Sequence, residues 1–233
     1  MRFRALACDY DRTIAREAVV IQPVLDALES VSESGRRLVL VTGRTMAELL
    51  SVFTEIARFD RVVVENGALL CDPGQDLQRL LAPPVPAGLV EELGRRGVQP
   101  LIVGRGIIST SASNDSVVLA TLGDLGLDLS VSYNRNSVMV LPAGVSKATG
   151  LRAAAGELEI PLDAVVAVGD GENDIALLDG AGAGVAVENA VASLKERADI
   201  VLTRPDVEGV IELCRSLVES DLADLLEASA ARA

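Results

Sequence analysis

Six short apolar runs rich in β-branched residues recur along the chain, each closed by turn or acidic residues: FRALACD (3–9), RRLVLVTGR (36–44), DRVVVENG (60–67), AVVAVGDGEND (164–174), GVAVEN (184–189) and DIVLT (199–203). Three to five consecutive apolar residues suit strands buried on both faces, as in parallel sheets. Between them lie stretches with apolar residues at three- and four-residue spacing: QPVLDALESVSESG (22–35), TMAELLSVFTEIARF (45–59), KATGLRAAAGELEI (147–160), NDIALLDGA (173–181) and ASLKERA (192–198). These read as helices, with Gly35 ending the first and Thr45 placed to cap the second. Parallel strands need crossover connections, so the alternation predicts an α/β fold built on a doubly wound parallel sheet.

The rhythm changes between about residues 83 and 143. A proline-rich joint, APPVPAG (82–88), leads into a helical pattern, GLVEELGRRG, and two short runs, QPLIVG and GIISTS. A second helical pattern, NDSVVLATLGDLG, and two more runs, DLSVSYN and NSVMVLPAG, complete an α-β-β-α-β-β order, with GRG and NRN as tight turns. Hairpins inside an otherwise parallel chain predict an inserted α+β unit over 83–143, with the main domain formed by 1–82 and 144–233. The alanine-rich end, 223–233, is expected to fray.

Charge and composition narrow the function. The 233 residues carry a formal net charge of −13 with no clustered basic patch, which argues against nucleic acid or an anionic membrane as partner. Histidine is absent, which excludes a Ser-His-Asp triad, phosphohistidine chemistry and a histidine-based zinc site. Cys8, Cys71 and Cys214 are odd in number and far apart, which suits a reducing compartment. The beginning, MRFRALACDY, lacks the apolar stretch of a signal peptide, and no long uninterrupted apolar window occurs. The expectation is a cytoplasmic protein.

In open α/β sheets, ligands sit beyond the carboxyl ends of the strands. Those ends carry Asp9, Asp11 and Thr13; Thr42, Gly43 and Arg44; Glu65 and Asn66; and Asp170, Glu172, Asn173 and Asp174. Lys147 begins a helix shortly after the insertion. Carboxylates from two strands converging on one crevice repel each other unless a cation lies between them. An oxygen-rich site without histidine favours a hard cation, Mg²⁺ first, and Mg²⁺ pairs readily with substrate phosphate. Thr42 and Lys147 offer a hydroxyl and a point positive charge to phosphate oxygens.

The constellation resembles the haloacid dehalogenase-like (HAD) phosphohydrolases. DYDRT (9–13) resembles their DxDxT motif, VTGR (41–44) the second motif, GVSKATGL (144–151) the third and GDGENDIALL (169–178) the fourth. VENGA (64–68) and the α-β-β-α-β-β insertion are similar to the Cof-type, type IIB branch, in which the insertion is a cap. The resemblance implies that Asp9 is the nucleophile, forming an aspartyl-phosphate, and that Asp11 is the general acid and base. It implies Mg²⁺ held by Asp9, the Asp11 backbone carbonyl and Asp170, with Asp174 either a ligand or a partner just behind the ligands, and with Asp11's side chain left free to titrate. Thr42, Gly43, Lys147 and Asn173 then hold the phosphoryl oxygens. The implied substrate is a small phosphorylated metabolite such as a sugar phosphate.

One position departs from the family pattern. Arg12 stands where glycine is usual, and its side chain either points outward, meets a second anionic group on the substrate, or impairs the turn. In the insertion, Arg105, Asn134 and Arg135 fall at hairpin turns, where they read as solvated turn residues or as substrate contacts. Glu65 and Asn66 are explained equally by a strand-end turn, Arg44 by pairing with a nearby carboxylate, and Cys8 by the core. Two rival functions share these residues. One is a sugar phosphomutase of the same fold. The other is a non-catalytic Mg²⁺-binding module, either a receiver-like phospho-acceptor, which would lack both the insertion and the second Asp, or a regulatory pseudo-phosphatase.

Overall fold

The structure is a computed structural model and describes residues 1–231. Its first part runs β1 (Ala5–Cys8), α1 (Gln22–Glu33), β2 (Arg37–Val41), α2 (Met46–Val52), β3 (Arg61–Val64), β4 (Leu69–Asp72) and β5 (Leu77–Leu80). Next come α3 (Ala87–Arg95), β6 (Leu101–Val103), β7 (Ile108–Ser111), α4 (Asp115–Asp124), β8 (Leu129–Asn134) and β9 (Ser137–Pro142). The chain then forms α5 (Lys147–Glu157), β10 (Val165–Gly169), α6 (Ile175–Asp179), β11 (Ala183–Ala186), α7 (Ala192–Lys195), β12 (Ile200–Val201), α8 (Asp206–Ser220) and α9 (Ala223–Ala230).

The larger sheet has the order β12-β11-β10-β1-β2-β3-β4-β5. From β12 to β3 every pairing is parallel; β4 and β5 add an antiparallel edge. β1 and β10, side by side in the middle, are buried along their whole length. Their apolar runs therefore need both faces covered, as parallel sheets require. Helices α1 and α8 pack on each other, while α5 lies along β2, β3 and β4 with α6 beside it.

The segment between β5 and α5 folds as the α-β-β-α-β-β order anticipated. Its four strands form a separate antiparallel sheet, β6-β7-β9-β8, over a small core of Leu89, Leu93, Val98, Ile108, Val118, Leu122, Val138 and Val140. A second cluster, Ala68 with Ile107, Met139 and Leu141, forms an apolar seam between the two sheets. We place the joints of the inserted unit at 82/83 and 143/144, both in loops between β5 and α3 and between β9 and α5.

Four features differ from the sequence reading. The sequence pattern does not signal the hairpin of β4 and β5, because β5 is an exposed edge strand whose residues carry little apolar signal. The helix expected over 45–59 stops at Val52, because Phe53 turns extended and packs its ring 5.8 Å from Tyr10 and 6.3 Å from Phe59. Helix α8 lies beyond the strand-helix alternation read above, and buries Val207, Val210, Leu213, Cys214 and Leu217 at helical spacing. The end of the chain does not fray through Ala230. There α9 packs Leu225 and Leu226 against the core, and Ser229 Oγ donates to the Asp199 carbonyl at 2.7 Å. The last two residues of that expected tail lie outside the described residues.

Candidate active site

Each strand end in the middle of the sheet delivers one part of the site. β1 stops at Cys8, and Asp9, with its amide donating to the Val168 carbonyl, is buried just beyond. The chain then turns, with Arg12 at φ 61°. Beyond β2, Thr42 is buried and its Oγ1 accepts from the Arg44 amide at 3.2 Å. Beyond β3, Glu65, Asn66 and Gly67 take φ values of 55°, 54° and 105° in succession. A Cβ on Gly67 would lie 1.9 Å from the Ser146 carbonyl oxygen, so only glycine lets this turn meet the start of α5. Ser146 caps that helix in a reciprocal capping box with Thr149, and Lys147 occupies its first turn.

Lys147 is almost wholly buried, and its Nζ donates to Asp9 Oδ1 at 2.5 Å and to Asp174 Oδ1 at 2.6 Å. Thr13 Oγ1 donates to Asp9 Oδ2 at 3.2 Å. Asp174 Oδ2 accepts the amides of Asp170 at 3.1 Å and Gly171 at 2.9 Å. Carboxylate oxygens of Asp9, Asp170 and Asp174 all lie within 4.8 Å of one another.

Burial, with the charge of Asp174 beside it, pushes the Asp9 carboxyl up to about 8, and Lys147 opposes that rise. Burial disfavours the Lys147 ammonium, but Asp174 and Asp9 outweigh it and hold the amine protonated above its ordinary range. The Asp170 carboxyl is likewise raised by burial against the opposing hydrogen bond from Arg135. Lys147 is shared by two of the three buried carboxylates, Asp9 and Asp174, and does not reach Asp170. The donor set is all oxygen at close range, which fits a hard divalent cation such as Mg²⁺.

Asp11 stands apart from this cluster. Arg44 Nε and NH2 each donate to one of its carboxylate oxygens at 2.7 Å. The pairing expected of Arg44 is thus present, and the Asp11 side chain that the sequence reading left free is held by it. Asn173 Nδ2 donates to Asn66 Oδ1 at 3.1 Å, and Asn66 Nδ2 reaches Ser132 Oγ in β8 at 3.3 Å. Gly43 faces Met139 and Asn173.

The inserted unit contributes from above. Arg135 NH2 donates to Asp170 Oδ2 at 2.5 Å, and Arg12 Nε reaches the same oxygen at 3.2 Å. Arg12 therefore does not simply point outward. Asn134 approaches Gly171. Arg105 does not join them: its guanidinium donates to Gln78 in β5 at 3.0 Å. Its backbone amide, with that of Gly106, instead donates to the buried Glu65 carboxylate, at 2.8 and 2.6 Å. A Cβ on Gly104 would lie 2.6 Å from Glu65 Cδ, so the turn must be bare there for this grip to form.

A cavity of about 240 Å³ separates the two parts, lined by Asp11, Gly43, Arg44 and Glu48 below and Ile102, Ser109, Asn134, Ser137 and Met139 above. The sequence reading missed Ser109, Ser137 and Met139. Their signal is the two-residue period of β9, where Ser137 and Met139 share a face, and the register that sets Ser109 opposite Met139.

A buried carboxylate, lysine, threonine and acidic cluster at the carboxyl edge of a doubly wound sheet, under a second sheet that leaves a small polar cavity, define a phosphatase site. The chain belongs to the haloacid dehalogenase-like hydrolases, whose family model matches residues 6–93 and 108–213. It is 30% identical to phosphoglycolate phosphatase 2 of Saccharolobus solfataricus, over 93% of each chain. It is 29% identical to the phosphoglycolate phosphatase of Methanothermobacter thermautotrophicus, over 91% of this chain and 97% of the other. Its fold is similar to that of a HAD subclass IIB sugar phosphatase, with a TM-score of 0.76 at 20% identity, covering 92% of this chain and 98% of the other. It is also similar to a HAD/COF-like hydrolase from Plasmodium vivax, with a TM-score of 0.80 at 21% identity over 95% and 96% of the two chains. Among the described residues, no helix is long and apolar enough to cross a membrane.

Proposed function

We propose that this enzyme is a Mg²⁺-dependent phosphatase of small phosphorylated metabolites, working through an aspartyl-phosphate on Asp9. The observation that carries this reading is the placement of Asp9: buried at the end of the central strand, held by Lys147 and Thr13, and within reach of Asp170 and Asp174. The cation, when bound, neutralises the gathered carboxylates and draws charge from the phosphoryl oxygens. Asp9, Asp170 and Asp174, whose carboxylate oxygens cluster, would hold it, with the Asp11 carbonyl implied by family resemblance.

The chain's own residues divide the remaining work. An Asp9 oxygen attacks phosphorus, and the bond from phosphorus to the ester oxygen breaks. Asp11, once released from Arg44 and protonated from solvent, gives that proton to the departing oxygen. Asp11 then takes a proton from water, the water oxygen attacks phosphorus, and the bond to Asp9 breaks to release phosphate. Lys147, Thr42, Gly43 and Asn173 hold the non-bridging oxygens. The names of the relatives point to phosphoglycolate or a sugar phosphate as substrate, and the small cavity suits either. Three free, buried cysteines support a reducing compartment such as the cytoplasm.

The test is phosphate release by the purified enzyme from a panel of phosphorylated metabolites with Mg²⁺, repeated with excess chelator. Release that depends on Mg²⁺ is expected. Full turnover in chelator would remove the metal, and no release without a bisphosphate activator would favour the phosphomutase.

A further inference from the structure

Arg12, from the main domain, and Arg135, from the inserted unit, meet on one atom. Arg12 lies in the turn after β1. Arg135 opens the two-residue turn between β8 and β9, at φ 50°. Both donate to Asp170 Oδ2, although Asp170 is buried and their own side chains are 51% and 32% exposed. Each guanidinium spends one nitrogen on that contact, while its planar fork has five N–H donors. Beside them, the amide oxygens of Asn134 and Asn173 are buried with no hydrogen-bond partner. Both oxygens crowd Gly171, where a Cβ would lie 2.9 Å from each. The amide oxygens are acceptors and offer a carboxylate nothing; the donors left unused here are those of the two guanidiniums.

We infer that Arg12 and Arg135 form a two-sided recognition site for a carboxylate on the substrate, so that the enzyme selects phosphate esters of short hydroxy acids over neutral sugar phosphates. This rests on the phosphatase reading above. The contact with Asp170 shows that one carboxylate oxygen fits between the two guanidiniums. Asp170 is also one of the three carboxylates placed to hold the cation. A cation there takes up the Asp170 charge and leaves both forks to a second carboxylate. A short acid places that group close to its phosphate, as the gathering of Asp9 and Asp170 within one cluster requires. A sugar hydroxyl in the same place would offer the two guanidiniums no opposite charge.

Each charge-assisted hydrogen bond of this kind is worth about 10- to 100-fold in affinity. The probes are phosphonopropionate, a non-hydrolysable acid with two methylenes between phosphonate and carboxylate, and propylphosphonate, which has a methyl in place of the carboxylate. Calorimetric titration of the Mg²⁺-loaded enzyme should show the acid bound at least about 10-fold more tightly. Arg12→Gln and Arg135→Gln should each cut that ratio at least about fivefold. Propylphosphonate binding by each variant reports that its site is folded. A wild-type ratio near unity, or a ratio retained in both variants, overturns the inference. An enzyme that hydrolyses p-nitrophenyl phosphate yet shows no preference for the acid defeats this inference alone. Absence of phosphate release from every ester defeats the phosphatase reading beneath it.

Discussion

Replacing Lys147 by methionine keeps most of the aliphatic stem and removes the ammonium that sits between Asp9 and Asp174. Both carboxylates then stay buried with no counter-charge between them. Removing one partner of a buried ion pair costs about 3–5 kcal/mol. Two carboxylates share this ammonium, so the upper end of that range applies when both are ionised. Proton uptake provides a partial escape. Burial and Asp174 already push Asp9 up to about 8, and Lys147 is the group that opposes them, so Asp9 rises further in the variant. A carboxyl raised in the folded state contributes stability that is present below its unfolded value and lost as pH climbs through its folded one. Above about pH 8 the folded variant holds a proton that the wild type has released. Its stability should therefore fall relative to wild type by about 1.4 kcal/mol for each pH unit in that window. Urea unfolding of the metal-free proteins at pH 6.5 and pH 9 measures this, provided the slopes with denaturant agree. A stability difference that is equal at the two pH values, or below about 1 kcal/mol at pH 9, refutes the assigned role of the ammonium.

Other expectations concern the two acids, the grip on the inserted unit and a distant ion pair. Asp9→Asn should form no phosphoenzyme on any ester. Asp11→Asn should retain more of its first turnover on p-nitrophenyl phosphate, whose leaving group needs little protonation, than on an alkyl phosphate; equal slowing in rapid quench would contradict this division. Glu65→Leu strips the acceptor from the Arg105 and Gly106 amides, costing about 1–3 kcal/mol for each left unpaired. Hydrogen exchange at those two amides should quicken at least tenfold, and unchanged exchange would mean that the carboxylate does not hold the turn. Asp221 accepts from the buried Arg36 guanidinium at 2.8 Å, and that pairing, against the opposing effect of burial, depresses its carboxyl. Its stabilisation is present above the unfolded value of 3.8 and is lost as pH falls through the lower folded value. The gap in melting temperature between wild type and Asp221→Asn should therefore be wide at neutral pH and close in acid.

Much of the site was legible because its residues announce themselves locally. Asp9, Thr42 and Asp170 each follow a buried apolar run, and such a run fixes which end of a parallel strand faces the crevice. The α-β-β-α-β-β order of the insertion was legible from its turns, GRG and NRN. What stayed hidden depends on partners far away in the chain. The carboxylate of Glu65 meets backbone amides 40 and 41 residues later, and amides carry no signature in a sequence. The hold of Arg44 on Asp11 spans 33 residues, so the pairing could be expected but its target could not. The early end of α2 is a tertiary effect, since Phe53 leaves a good helical pattern to join Tyr10 and Phe59. Arg12 was visible as a departure from the family pattern and Arg135 as a hairpin-turn residue; only the packing of the inserted unit on the main domain shows that they share an oxygen.

The grip of Glu65 on the inserted unit reaches main-chain N–H groups and no side chain. Attachment of the lid is thereby separated from what the lid says to a ligand. Arg105, whose amide is held, can become almost any residue without loosening the hold, while Gly104 is pinned by the want of room beside Glu65. Ser109 and Ser137, which face the cavity, lie outside both the gripped turn and the apolar seam. A chain built this way is a socket with an exchangeable fitting: new cargo can be tried by rewriting the ceiling of the chamber while the fastening underneath keeps working unchanged.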